Sequence, residues 1–145
     1  MLTAKGKYSL KALACLAKLG PEATMPALEI AAANDIPKKF LDVILGDLRN
    51  AGVVHSRKGP GGGYRLARAP SEIKIGQVIR AIDGPLAPLA CASRTAYLPC
   101  RDCKDVKGCN VRLLMTQVRD AMSEVLDRVT VADMIALNGG KRRTA

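Results

Sequence analysis

Ile36-Pro37-Lys38-Lys39-Phe40-Leu41-Asp42-Val43-Ile44-Leu45-Gly46-Asp47-Leu48-Arg49-Asn50-Ala51-Gly52 decides the fold, together with the Val53-Val54-His55-Ser56-Arg57-Lys58-Gly59-Pro60-Gly61-Gly62-Gly63-Tyr64-Arg65-Leu66-Ala67 that follows it. Leu41, Ile44, Leu45 and Leu48 recur at i, i+3, i+4 and i+7, the stripe of an amphipathic helix. Pro37 opens that helix, and Asn50-Ala51-Gly52 closes it with a C-terminal glycine signal. Beyond it, Val53–Lys58 and Tyr64–Arg68 are strand-like runs around a five-residue tip, Gly59-Pro60-Gly61-Gly62-Gly63, which predicts a hairpin. Working outward, Asn34-Asp35-Ile36 is a turn, and Pro26–Ala33 fits a short helix with proline in its first turn. Helix, tight turn, helix and then a basic hairpin is the outline of a winged helix-turn-helix.

The flanks extend this outline. Thr3–Leu19 places Tyr8, Ala12, Leu13, Leu16 and Leu19 on one helical face, with Gly20-Pro21 as the stop and Cys15 as a small buried hydrophobe. Ser71 leads into a helix over about Ile75–Ile82, ended by Asp83-Gly84-Pro85. Residues 84–110 have no usable periodicity and hold four of the five cysteines, which marks a functional loop. Val111, Met115, Val118, Met122, Val125 and Val129 then step by 4, 3, 4, 3 and 4, a heptad seam on a helix about 28 Å long. Such a seam at the end of a small domain is expected to pair with its copy, making these six residues the candidate dimer interface. Thr130-Val131-Ala132-Asp133 reads as a capping-box variant that starts a last helix to Leu137, with Asn138-Gly139-Gly140 as its end and a frayed basic tail beyond. The expected class is mainly α with a small β-hairpin wing. Its parts are a winged helix-turn-helix over 1–83, a cysteine-rich loop over 84–110, and a dimerisation helix, short last helix and tail over 111–145.

Composition limits the functions available. The chain of 145 residues is 48% hydrophobic, enough for a core and too apolar for a disordered or collagen-like chain. Four aromatic residues (Tyr8, Phe40, Tyr64 and Tyr97) and no Trp leave few platforms for stacking single-stranded bases. The net charge is +10, and it is uneven: residues 1–75 carry twelve basic against six acidic side chains, whereas 76–140 carry eight against seven. A basic N-terminal half beside a balanced C-terminal half points to a polyanion at one end. No apolar run approaches a membrane span or a signal sequence, so a cytosolic chain without a membrane partner is expected. His55, the only histidine, lies in a strand-like run, and no nucleophile–base–acid set can be assembled around it. An enzyme is not expected.

Two constellations carry chemistry. Lys38 and Lys39 occupy the first turn of the third helix, where a cation opposes the helix dipole, a placement that makes sense if they meet phosphates or base edges. Asp42, one turn on, is placed to accept from a cytosine amino group or to repel wrong bases. Arg57, Lys58, Tyr64 and Arg65 flank the hairpin tip, Gly61 and Gly62 allow close backbone approach to phosphate, and Lys5 and Lys7 add charge from the first helix. The tip is not a nucleotide loop, because Tyr64 breaks G-x-G-x-x-G and no Gly-Lys-Ser/Thr follows. The second constellation is Cys91, Cys100, Cys103 and Cys109, spaced C-x8-C-x2-C-x5-C. Four thiols in nineteen residues suit an iron–sulfur cluster, a tetrahedral zinc site using the Cys100–Cys103 knuckle, or a thiol–disulfide pair. Arg94, Arg101, Lys104, Lys107 and the helix N-terminus at Val111 would stabilise an anionic thiolate centre.

Leu2-Thr-Ala-Lys-Gly-Lys-Tyr-Ser-Leu10, Ile36-Pro-Lys-Lys-Phe-Leu41, Leu48-Arg-Asn-Ala-Gly-Val53 and the wing Ser56-Arg-Lys-Gly-Pro-Gly-Gly-Gly-Tyr-Arg-Leu-Ala67 resemble the IscR/NsrR-type winged-helix regulators over residues 1–138. The resemblance implies a homodimeric bacterial transcription regulator, usually a repressor, that binds a pseudo-palindromic duplex operator and is tuned by a 2Fe–2S or 4Fe–4S cluster. It places the family's three cysteines on Cys91, Cys103 and Cys109. The usual fourth ligands are replaced, by Arg112 after the last cysteine and by Tyr8 near the N-terminus, so Cys100 is the expected fourth ligand. The signal sensed, whether iron, nitric oxide, peroxide or redox poise, is left open.

Overall fold

The computed structural model describes residues 2–20 and 22–141 of the chain. Helix α1 (Ala4–Leu16) is capped by Thr3, whose hydroxyl accepts from the Gly6 N–H at 3.1 Å. It ends at Leu16, ahead of the expected stop at Gly20, and Pro21 lies outside the described residues. Helices α2 (Ala27–Asn34) and α3 (Lys38–Asn50) are joined by a turn in which Asp35 takes the left-handed conformation. At the end of α3, Gly52 adopts φ +75°, which lets its N–H reach the Arg49 carbonyl at 3.0 Å while Val53 N–H reaches Leu48 at 2.9 Å. This double return satisfies two orphan carbonyls and turns the chain into the wing.

Strands β1 (Val54–Arg57) and β2 (Gly63–Leu66) pair antiparallel in the register Val54↔Leu66 to Arg57↔Gly63. Met25 adds a bridge on the far side of β2, exchanging hydrogen bonds with Tyr64 at 3.0 and 2.9 Å. A 3-10 turn at Pro70–Glu72, which includes Ser71, leads into α4 (Ile75–Asp83). The cysteine-rich stretch contains one 3-10 turn, Ala90–Ala92, before α5 (Asn110–Arg128) and α6 (Val131–Lys141).

One aliphatic core joins these elements. Leu13, Ile30, Leu41, Ile44, Leu45, Leu48, Val54, Ile73 and Val131 have no exposed surface. Burying each such side chain contributes about 1.5–3 kcal/mol. Tyr8 and Phe40 close α1 on α3 edge to face, with centroids 5.6 Å apart. The C-terminal segment returns to this core. Ile75 N–H donates to Val129 and Val131 N–H to Ile73, both at 2.9 Å, which seats α6 beside the winged helix. The reciprocal box forms as expected: Thr130 N–H donates to the Asp133 carboxylate at 3.0 Å, and Asp133 N–H to the Thr130 hydroxyl at 3.1 Å. The backbone N–H and the hydroxyl of Thr130 hold the Asp133 carboxyl below the usual carboxylate range.

Three expectations change. α6 does not stop at Asn138-Gly139-Gly140 but continues to Lys141, since glycine weakens a helix without forbidding it and Val131, Met134 and Ile135 anchor it on the core. The tail from Arg142 lies outside the described residues. Cys15 is not fully buried: its thiol lies half-exposed, 3.6 Å from the Met25 sulfur.

The third change concerns the heptad seam, which divides. Met122 lines an apolar cleft of about 280 Å³ with Leu2, Leu10, Ile79, Leu86 and Leu126, and Val129 packs on the core. Val129 therefore serves the chain's own packing, whereas Met122 is half-exposed at the wall of that cleft. Val111, Val118 and Val125 stay exposed and Met115 half-exposed, and no residue of α5 is fully buried.

Candidate nucleic-acid interface and cysteine centre

The seven basic residues expected at the DNA surface fall into two groups. Lys5 pairs with Asp47 of α3 at 2.5 Å, Lys38 with Asp42 at 2.8 Å, and Arg65 with Glu22 at 3.1 Å. Lys7, Lys39, Arg57 and Lys58 are exposed and form no ion pair among the described residues. These four cations are available to an anion without breaking an internal contact. Asp42 is engaged by Lys38 through both carboxylate oxygens, at 3.0 and 2.8 Å.

One of the two wing-tip glycines expected to face phosphate is engaged elsewhere. Gly62 N–H donates to the Gly59 carbonyl at 2.9 Å, so it is spent inside the turn, and a Cβ there would overlap the Arg57 carbonyl. At Gly63 a Cβ would overlap the Met25 backbone. These positions are small because strand and bridge approach closely. Gly61 stands in open space, and its carbonyl accepts from the Thr24 hydroxyl at 2.9 Å, which ties the wing to the segment before α2. Tyr64 is half-buried and packs against the core. His55 is an exposed strand residue opposite Arg65.

The cysteine-rich loop draws three of its four thiols together. Cys103 Sγ lies 4.0 Å from Cys109 Sγ, and the Cys100 thiol hydrogen-bonds to Asp102 Oδ1 at 2.6 Å. Donor atoms of Cys100, Asp102 and Cys103 lie within 4.8 Å of one another. The neighbouring Cys100 thiol, desolvation and the Cys109 thiol together push the Cys103 thiol up to about 12. Cys109 precedes the first turn of α5, and the N–H groups of Arg112 and Val111 favour its thiolate, lowering its pKa. Asp102 was not among the expected ligands, although Cys100-Arg101-Asp102-Cys103 places a carboxylate between two thiols.

Cys91 stands apart from these contacts. It sits in the 3-10 turn and is 8% exposed. Two arginines of α5 hold that turn: Arg112 Nε donates to the Cys91 carbonyl at 2.9 Å, and Arg119 Nη1 to the Ala92 carbonyl at 2.5 Å. Arg112 therefore occupies the position of a possible ligand with a group that cannot lose its proton, and uses it as a backbone clamp. Tyr8 is likewise committed, to Phe40. Further along α5, Asp127 receives both nitrogens of Arg80 from α4, at 2.6 and 2.9 Å. The guanidinium holds the Asp127 carboxyl below its ordinary range. Asp83, at the end of α4, accepts from the Thr3 backbone N–H at 3.0 Å and from the Thr3 hydroxyl.

A helix-turn-helix, a two-stranded wing with free cations and a long trailing helix define a winged-helix DNA-binding regulator. The chain belongs to the Rrf2 family, described as iron-dependent transcriptional regulators, whose family pattern matches residues 2–137. An rrf2-like HTH-type transcriptional regulator of Rhodobacter capsulatus is 46% identical over 139 residues, covering 94% of this chain and 93% of that protein. Among solved structures, CymR of Bacillus subtilis, described as its global cysteine regulator, superposes with a TM-score of 0.76 at 33% identity, covering 94% of this chain and 97% of the other. IscR of T. potens gives a TM-score of 0.72 at 29% identity, with 94% and 86% covered. The protein is thus an HTH-type transcription regulator and not an enzyme. No helix among the described residues is long and apolar enough to cross a membrane.

Proposed function

We propose that this chain is a cytoplasmic, homodimeric repressor whose affinity for a pseudo-palindromic duplex operator is set by an iron–sulfur cluster on Cys91, Cys100, Cys103 and Cys109. The observation that carries the reading is the gathering of Cys100, Cys103 and Cys109 at the N-terminus of α5. Soft sulfur donors beside a helix N-terminus suit an anionic thiolate centre. The iron-dependent family description supports the same reading. A cluster bound there supplies a redox-active, oxidant-labile centre.

The chain's own residues offer a continuous route from that loop to the recognition helix. Arg112 and Arg119 fasten the Cys91 turn to α5, and Asp127–Arg80 fastens α5 to α4. Asp83–Thr3 joins α4 to α1, and Lys5–Asp47 joins α1 to α3. A change in loop order shifts α5 against α4 and with it the spacing of the two recognition helices. DNA offers half-sites at fixed helical intervals, so small shifts separate bound from unbound states. A tenfold change needs only about 1.4 kcal/mol of coupling. Lys7, Lys39, Arg57 and Lys58 supply the phosphate contacts, and Lys5, Lys38 and Arg65 join by exchanging their internal partners. The exposed Val111, Val118 and Val125, with Met115, form the part of the seam left to the partner subunit.

A second reading is a thiol-based regulator, favoured by the 4.0 Å approach of Cys103 to Cys109 and by the near-complete burial of Cys91. A zinc-stabilised centre uses the same donors. Purification without oxygen distinguishes the three. The cluster reading expects a brown protein with matching iron and inorganic sulfide, bleached by Ser at any of the four loop positions and unaffected by Cys15→Ser. Colourless protein with one zinc, or with no metal, contradicts it.

A further inference from the structure

The inner face of α3 is complete: Leu41, Ile44, Leu45 and Leu48 are fully buried. On its outer face two residues do not follow from folding. Val43 is 55% exposed. A β-branched apolar residue on a solvated helix face restricts its own rotamers and leaves its methyl groups in water. Gly46, one turn further, weakens the helix relative to alanine. Its backbone does not require glycine, since its φ lies outside the left-handed region, and a Cβ there would meet nothing within 4 Å. Neither packing nor conformation accounts for it. Positions 43 and 46 share a face, and the unpaired Lys39 lies one turn before Val43 on the same side. What presses on this face is therefore something that prefers a small, apolar notch beside a free cation.

We propose that Val43 and Gly46 form a notch on the recognition helix that reads the 5-methyl group of a thymine in the major groove. The proposal rests on the DNA-binding reading and assigns it a base. That methyl is the one apolar group that the standard base pairs expose in the major groove. Valine has no hydrogen-bonding atom, so van der Waals contact with that methyl is its means of discrimination. Gly46 removes the side chain that would hold the helix axis away from the base edges, and Lys39 neutralises the phosphate alongside.

The test begins by selecting a duplex from a random-sequence library with the full-length protein. The selected duplex is then resynthesised with deoxyuridine replacing one thymine at a time, which deletes the methyl alone. At one position per half-site the replacement is expected to weaken wild-type binding by roughly fourfold, the factor carried by one buried methyl-sized group. Val43→Ala should bind the thymine and uracil duplexes equally. Gly46→Ala should raise the melting temperature while weakening the selected duplex severalfold and leaving a random duplex unaffected. The inference is overturned if no uracil position matters, if the uracil penalty persists in Val43→Ala, or if Gly46→Ala binds the selected duplex as wild type does. A protein that binds no duplex at all overturns the DNA reading as well, whereas salt-sensitive binding without a uracil effect overturns only the thymine assignment.

Discussion

The winged helix and the cysteine-rich half of the chain are held together by different physics. In the first, leucines and isoleucines of α1, α3 and α4 meet in one buried core. In the second, α5 buries no residue completely, and the loop before it hangs from arginine-to-carbonyl bonds. Hydrophobic burial gives the DNA-reading half one rigid shape. Directional polar ties hold the loop and α5 less firmly than a packed core would. On the function proposed above, that contrast separates a fixed reader from an adjustable support.

The comparison breaks most visibly if core damage proves mild. Leu45→Ala removes a fully buried side chain and should cost about 2–5 kcal/mol in chemical denaturation. A loss below 1 kcal/mol would mean that the winged helix is not the stable half. Next in size is assembly. Val118→Glu places like charges across a two-fold seam and should yield monomers with operator affinity at least tenfold weaker, read by sedimentation and titration. Unchanged sedimentation would assign the exposed stripe of α5 to something other than a second copy.

Smaller effects sharpen the contrast. Arg119→Ala should change global stability by no more than about 1–2 kcal/mol. It should nevertheless speed maleimide labelling of the nearly buried Cys91 severalfold, and equal labelling rates would show that the turn is held by other contacts. Thr130→Ala removes the cap of α6 and should cost about 0.5–2 kcal/mol. The partner in that box also predicts a pH dependence. The folded Asp133 carboxyl titrates below its unfolded value, so its contribution is present above the ordinary carboxylate pKa of about 3.9 and is lost as pH falls below it. Thermal unfolding of Asp133→Asn should therefore decline less steeply in that acid range than wild type, and parallel curves would remove the box from the stability of the fold.

How much of this was legible in the sequence follows the same division. The stripe Leu41–Leu48, the glycine after α3 and the hairpin runs are local patterns, and each appears where periodicity puts it. The Thr130–Asp133 box is equally local. The Met25–Tyr64 bridge was not legible, because one pair of residues drawn from distant segments has no period. The role of Gly62 was not legible, because its N–H is spent on the Gly59 carbonyl inside the turn. The split of the seam could not be read either, since a heptad does not say which of its residues the chain's own core covers, and Val129 packs there. Within the cysteine group, spacing marked out the four candidate thiols, and the structure brings three of them together. Asp102 and the arginine clamps depend on how an aperiodic loop folds back on α5.

The most direct measurement takes one anaerobic preparation, divides it, strips iron from one part by chelation under reducing conditions, and titrates both against the same selected operator at fixed salt. The expected result is a change in affinity of tenfold or more between the two parts, with a salt slope of several units in the tighter-binding form and a slope lower by about one in Lys58→Ala. Equal affinities for the iron-replete and stripped protein would contradict the claim that the cysteine loop governs DNA binding.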